Sequence, residues 1–165
     1  MNRINGSEKY KVFGLAALRI IIGWHFLYEG LVKATNPNWS SVGYLLDSAG
    51  FMSGIFKWMA ANATLLRVVD IMNVWGLIAI GLGLILGAFS RVALLAGITM
   101  LAMYYLSHPP FAGLKYELPM EGSYLFVNKN LIELVAMIIL LLFPAHSRIG
   151  LDRLFFKKER RGNGK

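Results

Sequence analysis

Residues 68–88 read VVDIMNVWGLIAIGLGLILGA, and after Asp70 no charged side chain interrupts them. A helix of this length rises about 30 Å, the thickness of the hydrocarbon core of a bilayer. Gly76, Gly81, Gly83 and Gly87 thin its surface, as close helix packing in lipid requires. We read the stretch as a membrane span. Three further apolar segments flank it: residues 12–32 (VFGLAALRIIIGWHFLYEGLV), 91–107 (RVALLAGITMLAMYYLS) and 126–143 (FVNKNLIELVAMIILLLF). The predicted fold is all-α, a polytopic membrane four-helix bundle forming one domain over residues 1–165. The first segment holds Arg19, His25 and Glu29 and no small-residue cleavage site follows it, so it reads as a retained span and not a signal peptide. The last is the most ambiguous. Its solidly apolar part starts at Asn130, so it either begins earlier, near Tyr124, or tilts.

Composition supports the same class. Of the 165 residues 56% are hydrophobic and only 16% charged, against about 25% charged in a typical soluble domain. A soluble chain of this size has too little interior to hide that apolar surface. The net charge of +8 raises nucleic-acid binding, but its distribution argues against it. Seven of the 17 basic residues fall in the tail 145–165, where they suit the anionic headgroups of a cytoplasmic leaflet. The chain has no cysteine, which removes disulfides, thiolate metal sites and dithiol–quinone exchange.

The connection 34–66 opens on a turn-like TNPNWSS. It continues as one stripe of Tyr44, Leu45, Ala49, Met52, Ile55, Phe56 and Met59, which predicts a single amphipathic helix on the membrane surface or over the bundle mouth. The connection 107–128 begins with Pro109 and Pro110, which stop the preceding helix. With the N-terminus inside, eleven Lys and Arg lie in cytoplasmic segments and five outside, Arg19 being set aside as intramembrane. That bias gives cytoplasmic N- and C-termini and puts both long connections outside. The expected location is a bacterial cytoplasmic membrane.

In that topology the polar residues of all four spans come to one level. His25, Glu29 and Lys33 lie in the outer half of the first; Asp70 and Asn73 come early in the second. Tyr104, Tyr105 and His108 come late in the third; Asn130 and Glu133 come early in the fourth. Ionisable groups in lipid are costly and face a bundle interior or a wet cavity. The expectation is an outward-opening pocket lined by Arg19, His25, Glu29, Lys33, Asn73, Tyr105, His108, Asn130 and Glu133. At about 100° per residue Arg19, Phe26, Gly30 and Lys33 share a face of the first helix, with Glu29 at its edge and His25 on another side. The competing reading is structural: Glu29–Lys33 at i,i+4, and an Arg19–Glu133 pair, hold the bundle together. Asp70, Lys33 and Lys129 then serve as headgroup residues, and His25 is a satisfied interior histidine. His25 and His108 lack metal-ligand spacing, so neither metal nor haem is expected.

The segments LRIIIGWHFLYEGLVK (18–33), WGLIAIGLGLILGAFSRVALLAG (75–97), YYLSHPP (104–110), EGSYLFVNKNLIEL (121–134) and FPAHSRIGLDRL (143–154) together resemble the DoxX family. They are similar to a bacterial branch of that family related to the DoxD subunit of thiosulfate:quinone oxidoreductase, over residues 12–154. The resemblance implies a four-helix membrane subunit, a quinone, a partner subunit, and thiosulfate oxidation to tetrathionate. Members often carry an acidic residue about ten before the closing glycine of the second helix; here that position is Leu77, with Asn73 nearby. Two function classes remain open: a quinone-linked redox subunit, or a non-catalytic scaffold for a partner oxidoreductase. A transporter is less well supported, because there is no inverted repeat or broken central helix. A homo-oligomer is compatible with either.

Overall fold

The computed structural model describes residues 6–111, 113–118, 124–143 and 150–152. Six helices follow one another: α1 (Gly6–Thr35), α2 (Val42–Leu46), α3 (Ser53–Ala61), α4 (Ala63–Leu86), α5 (Ser90–Ser107) and α6 (Lys129–Leu142). Among the described residues the extended structure is one isolated bridge between Tyr124 and Val127. Three helices, α1, α4 and α5, are long and apolar enough to cross a membrane. This is the pattern of a multi-pass membrane protein. Their outward faces agree, with Ile21, Trp24, Ile71, Trp75 and Val92 all exposed. The fourth expected span, 126–143, is realised as the fourteen residues of α6. That is about 21 Å of helix, short of a hydrocarbon core. The tail 145–165 and His146 lie outside the described residues, apart from 150–152.

The long helices pack in a chain, α1 on α4, α4 on α5 and α5 on α6, and α6 touches α1. Ile22, Phe26, Leu77, Ile80, Leu84, Leu94, Leu101, Met137 and Leu140 fill the centre. Along the seam between α1 and α4 backbone meets backbone. A Cβ added at Gly81 would stand 2.5 Å from the backbone nitrogen of Leu27 and 2.7 Å from the carbonyl of Gly23. Only a bare backbone fits there.

Capping explains where the helices start and stop. The Asn62 side chain accepts the N–H groups of Thr64 and Leu65 at 3.1 Å each, and Asn128 accepts that of Leu131 at 3.0 Å. α4 closes on Gly87 at φ 65°, a left-handed cap that a side chain rarely adopts. α5 begins without a cap of its own. The carboxylate of Asp152 supplies one, accepting the N–H groups of Phe89 (2.8 Å) and Ser90 (3.0 Å). The N–H groups of Leu151 and Asp152 in turn donate to the carbonyls of Leu86 and Gly87, so 150–152 is stitched to the α4–α5 turn.

The predicted single amphipathic helix in the first connection is two helices, α2 and α3, with residues 47–52 between them. The Ser48 hydroxyl donates to the carbonyl of Leu45 at 2.7 Å, competing with helix continuation. The carboxylate of Asp47 is engaged by the second connection.

The α1–α4 seam yields a test. Gly81→Ala should destabilise the protein by about 1–3 kcal/mol through overpacking, read as a lower thermal midpoint in detergent. Gly54→Ala, where nothing lies within 4 Å, should leave the midpoint unchanged.

Candidate functional site

The C-terminal ends of α1 and α5 and the N-terminal ends of α4 and α6 surround a cavity of about 560 Å³. Its deep part is apolar, formed by Phe26, Leu77 and Leu101. Its wall is polar, with His25, Glu29, Lys33, Asn73, Tyr104, Asn128, Lys129 and Asn130. Trp39, Ser40, Ser41, Gly43, Tyr44 and Leu118 of the two connections cover it.

Cross-helix contacts hold the wall in place. His25 Nδ1 lies 2.8 Å from Glu133 Oε1, joining α1 to α6. Asn73 Nδ2 donates to the Tyr104 hydroxyl at 2.8 Å, joining α4 to α5. Lys33 pairs with Glu29 at 3.5 Å. The Lys33 ammonium also sits 5.5 Å from the Trp39 ring centre and 5.9 Å from that of Tyr104, within cation–π range. Three buried atoms of these residues have no hydrogen-bond partner among the described residues: His25 Nε2, Asn73 Oδ1 and Glu133 Oε2.

The roof is built as firmly. Asp70 at the start of α4 accepts the Ser40 hydroxyl at 2.9 Å, the Ser41 N–H at 2.8 Å and the Ser41 hydroxyl, and so ties the first connection down. Asp47 accepts the N–H groups of Glu117 (2.9 Å) and Leu118 (3.2 Å) and lies 3.5 Å from His108 Nε2. It therefore binds the second connection to the first. The His108 ring is fully buried between Tyr44, at 4.0 Å between ring centres, and Tyr116, at 4.8 Å. The Tyr116 hydroxyl donates to the carbonyl of Pro109 at 2.7 Å.

Burial lowers the pKa of His108 below the usual histidine value, with Asp47 pulling the other way. Burial alone would raise Asp47, but the two backbone N–H groups and the neighbouring His108 hold its carboxyl below the usual range. Burial, reinforced by Asp47, pushes the hydroxyls of Tyr44 and Tyr116 up.

Of the residues expected at a pocket, His25, Glu29, Lys33, Asn73 and Asn130 line this cavity. Glu133 stands behind His25 and positions it. His108 belongs to the roof. Tyr105 points away, donating its hydroxyl to the carbonyl of Phe126 at 2.8 Å. Arg19 is a correction. It is buried at the opposite end, against Gly87 and Gly150 and within the electrostatic reach of Asp152. The considered Arg19–Glu133 pair is not formed, because Glu133 faces His25, which lies nearer the loop end of α1. The reading of Asp70 as a headgroup residue gives way to a tether. Tyr104, late in the third span, is a wall residue of the cavity. Trp39, Tyr44 and Asn128 also line the cavity, and their only sequence signal was proximity to the polar ends of the spans. Among the described residues no group of three or more His, Asp or Glu is placed to hold a metal ion.

Comparison with family models, curated proteins and solved structures gives no match for this chain.

The roof predicts a pH response. A histidine whose folded pKa is lowered binds its proton more readily when unfolded, so its contribution is full above 6.5 and is lost as pH falls below that value. Asp47, held low, keeps its contribution until more acidic pH. The thermal midpoint should therefore drop as pH falls below 6.5. His108→Phe, which keeps a ring in the stack, should flatten that drop relative to the native protein.

Proposed function

We propose that the chain is an integral membrane subunit of an oxidoreductase system of the DoxX/DoxD type, and that its loop-end cavity takes the head of a quinone. In this reading α1, α4, α5 and the shorter α6 form a four-helix membrane bundle with α2 and α3 on its outer face. The termini face the cytoplasm of a bacterial cell, and a sulfur compound such as thiosulfate is a candidate electron donor through a second subunit.

The observation that carries the reading is the cavity's two-part chemistry. An apolar floor of Phe26, Leu77 and Leu101 lies under a wall that holds a histidine–glutamate pair and an asparagine. Quinone-sized ligands occupy pockets of roughly 300–1,000 Å³ with mostly apolar linings and a few placed polar groups, and this cavity has about 560 Å³. The lining supports the fit: beside the apolar floor stand Lys33, Tyr44, Lys129 and Asn130, whose N–H and O–H groups can donate to ring oxygens. A bound quinone would supply two-electron chemistry coupled to protons. This chain's part is to hold the ring, exclude bulk water under the Trp39–Tyr44 roof, and accept or return a proton at His25, whose imidazole Glu133 orients. Lys33 at the mouth draws anions toward that end. The sequence resemblance over residues 12–154 supports the same class.

A scaffold needs the helix contacts but not the open cavity. The two readings separate by extraction of bound small molecules from the detergent-purified protein and mass spectrometry. The native chain should carry a quinone at a substantial fraction of one per protein, and Leu77→Trp, which fills the floor, should carry little while eluting as the same species. A native chain that folds and carries no quinone would overturn the proposal in favour of the scaffold.

A further inference from the structure

The fourteen residues of α6 rise about 21 Å, roughly 9 Å less than a hydrocarbon core. The apolar run of the sequence starts earlier, at Tyr124, but residues 124–127 form a tight turn and not helix. Three large side chains stand out from that turn in succession: Tyr124 is 78% exposed, Leu125 70% and Phe126 59%. A turn in water ordinarily carries glycine or asparagine at a left-handed position. Here that position, at φ 65°, is Leu125, so a leucine side chain is kept there against backbone strain. The turn also pairs most of its own backbone. The Tyr124 N–H donates to the Val127 carbonyl at 3.0 Å, and the Phe126 and Val127 N–H groups donate to the Tyr124 carbonyl at 2.9 and 3.1 Å. The Phe126 carbonyl accepts the Tyr105 hydroxyl at 2.8 Å. Irregular backbone beside lipid requires such internal pairing.

Tyr105 fixes the depth of the turn. It lies in the last turn of α5, a helix of 18 residues and about 27 Å that is long and apolar enough to cross a membrane. The turn tied to it is therefore level with the edge of the bilayer. Beyond the turn the exposed face of α6 continues as Ile132, Val135 and Ile139. We infer that residues 124–127 are a membrane-immersed finger: Tyr124, Leu125 and Phe126 enter the loop-side leaflet and complete the crossing that α6 leaves short. The occupant of this surface is lipid, because the turn carries no charge and is continuous with the apolar exposed face of α6. The amide and carbonyl of Leu125 have no partner among the described residues. That sets the tip at the headgroup boundary, where water still reaches those groups, and not in the acyl centre. The inference rests on α6 lying in the membrane and is independent of what the cavity binds.

The test is the depth of single nitroxide labels on the full-length protein, which has no native cysteine. Leu125→Cys is labelled in detergent and reconstituted in vesicles of phosphatidylethanolamine and phosphatidylglycerol. Phe126→Cys reads the same turn with the Leu125 side chain left in place. Ile132→Cys, on the exposed face of α6, and Asn38→Cys, in the exposed polar turn after α1, are the references. Each label is relaxed by oxygen, which concentrates in lipid, and by a neutral nickel chelate, which stays in water. The ratio of oxygen to chelate collisions at Leu125 and Phe126 should be several-fold above that at Asn38 and close to that at Ile132. A ratio at both turn positions equal to that at Asn38, with Ile132 in lipid, would overturn this inference alone. Water-like ratios at the turn and at Ile132 together would overturn the four-helix membrane bundle as well. Labels at the turn shielded from both reagents would overturn lipid as the occupant in favour of a second copy of the chain.

Discussion

Where Gly81 passes Gly23, the backbones of α1 and α4 meet with no side chain between them. Without a hydrophobic drive between helices in lipid, such close packing is what association depends on. The seam fixes the rotation of α1. With one face spent on α4, His25 is turned toward α6 and Glu133, while Phe26 drops into the centre at 1% exposure. The cavity is the space left at the loop end, where the helices stop packing on apolar residues and begin to present polar ones.

Polar groups at that depth are held by one another. Each of the long helices contributes to a cross-helix contact: His25 with Glu133, Asn73 with Tyr104. Asp70 and Asp47 do a different job, accepting hydrogen bonds from the two connections and drawing them over the opening. At the other end Arg19, Asp152 and Gly87 lock residues 150–152 against the α4–α5 turn. The molecule thus has one end stitched shut and one end roofed over a cavity, and the apolar faces between them are left for lipid.

Hydropathy alone located α1, α4 and α5, because long apolar runs are forced by the bilayer's thickness. The level of the polar residues was also legible, since topology brings the ends of antiparallel helices together. The Glu29–Lys33 pair followed from helical spacing. The partners of Arg19 and Glu133 were not legible. Both have more than one residue of suitable charge within the same stretch of chain, and the choice rests on how α1 is rotated against α4 and on where Asp152 returns after Pro144. The break between α2 and α3 was hidden for a related reason: the apolar stripe continues through Asp47, and only contacts to Glu117 and Leu118, far along the chain, withdraw that residue from a helix. The role of Tyr104 was not legible, because an aromatic near a helix end serves equally as an anchor or a wall, and the position of Asn73 decides between them.

The central claim is that the polar ends of the long helices enclose a space reachable from the loop side. The absence of any native cysteine makes it directly measurable. Single cysteines would be placed at Asn73, in the cavity wall, and at Leu84, fully buried in the core, in reconstituted vesicles exposed to a small membrane-impermeant thiol reagent on the loop side. The account predicts that the Asn73→Cys protein is labelled and the Leu84→Cys protein is not. An Asn73→Cys protein that resists the reagent while folded would contradict it.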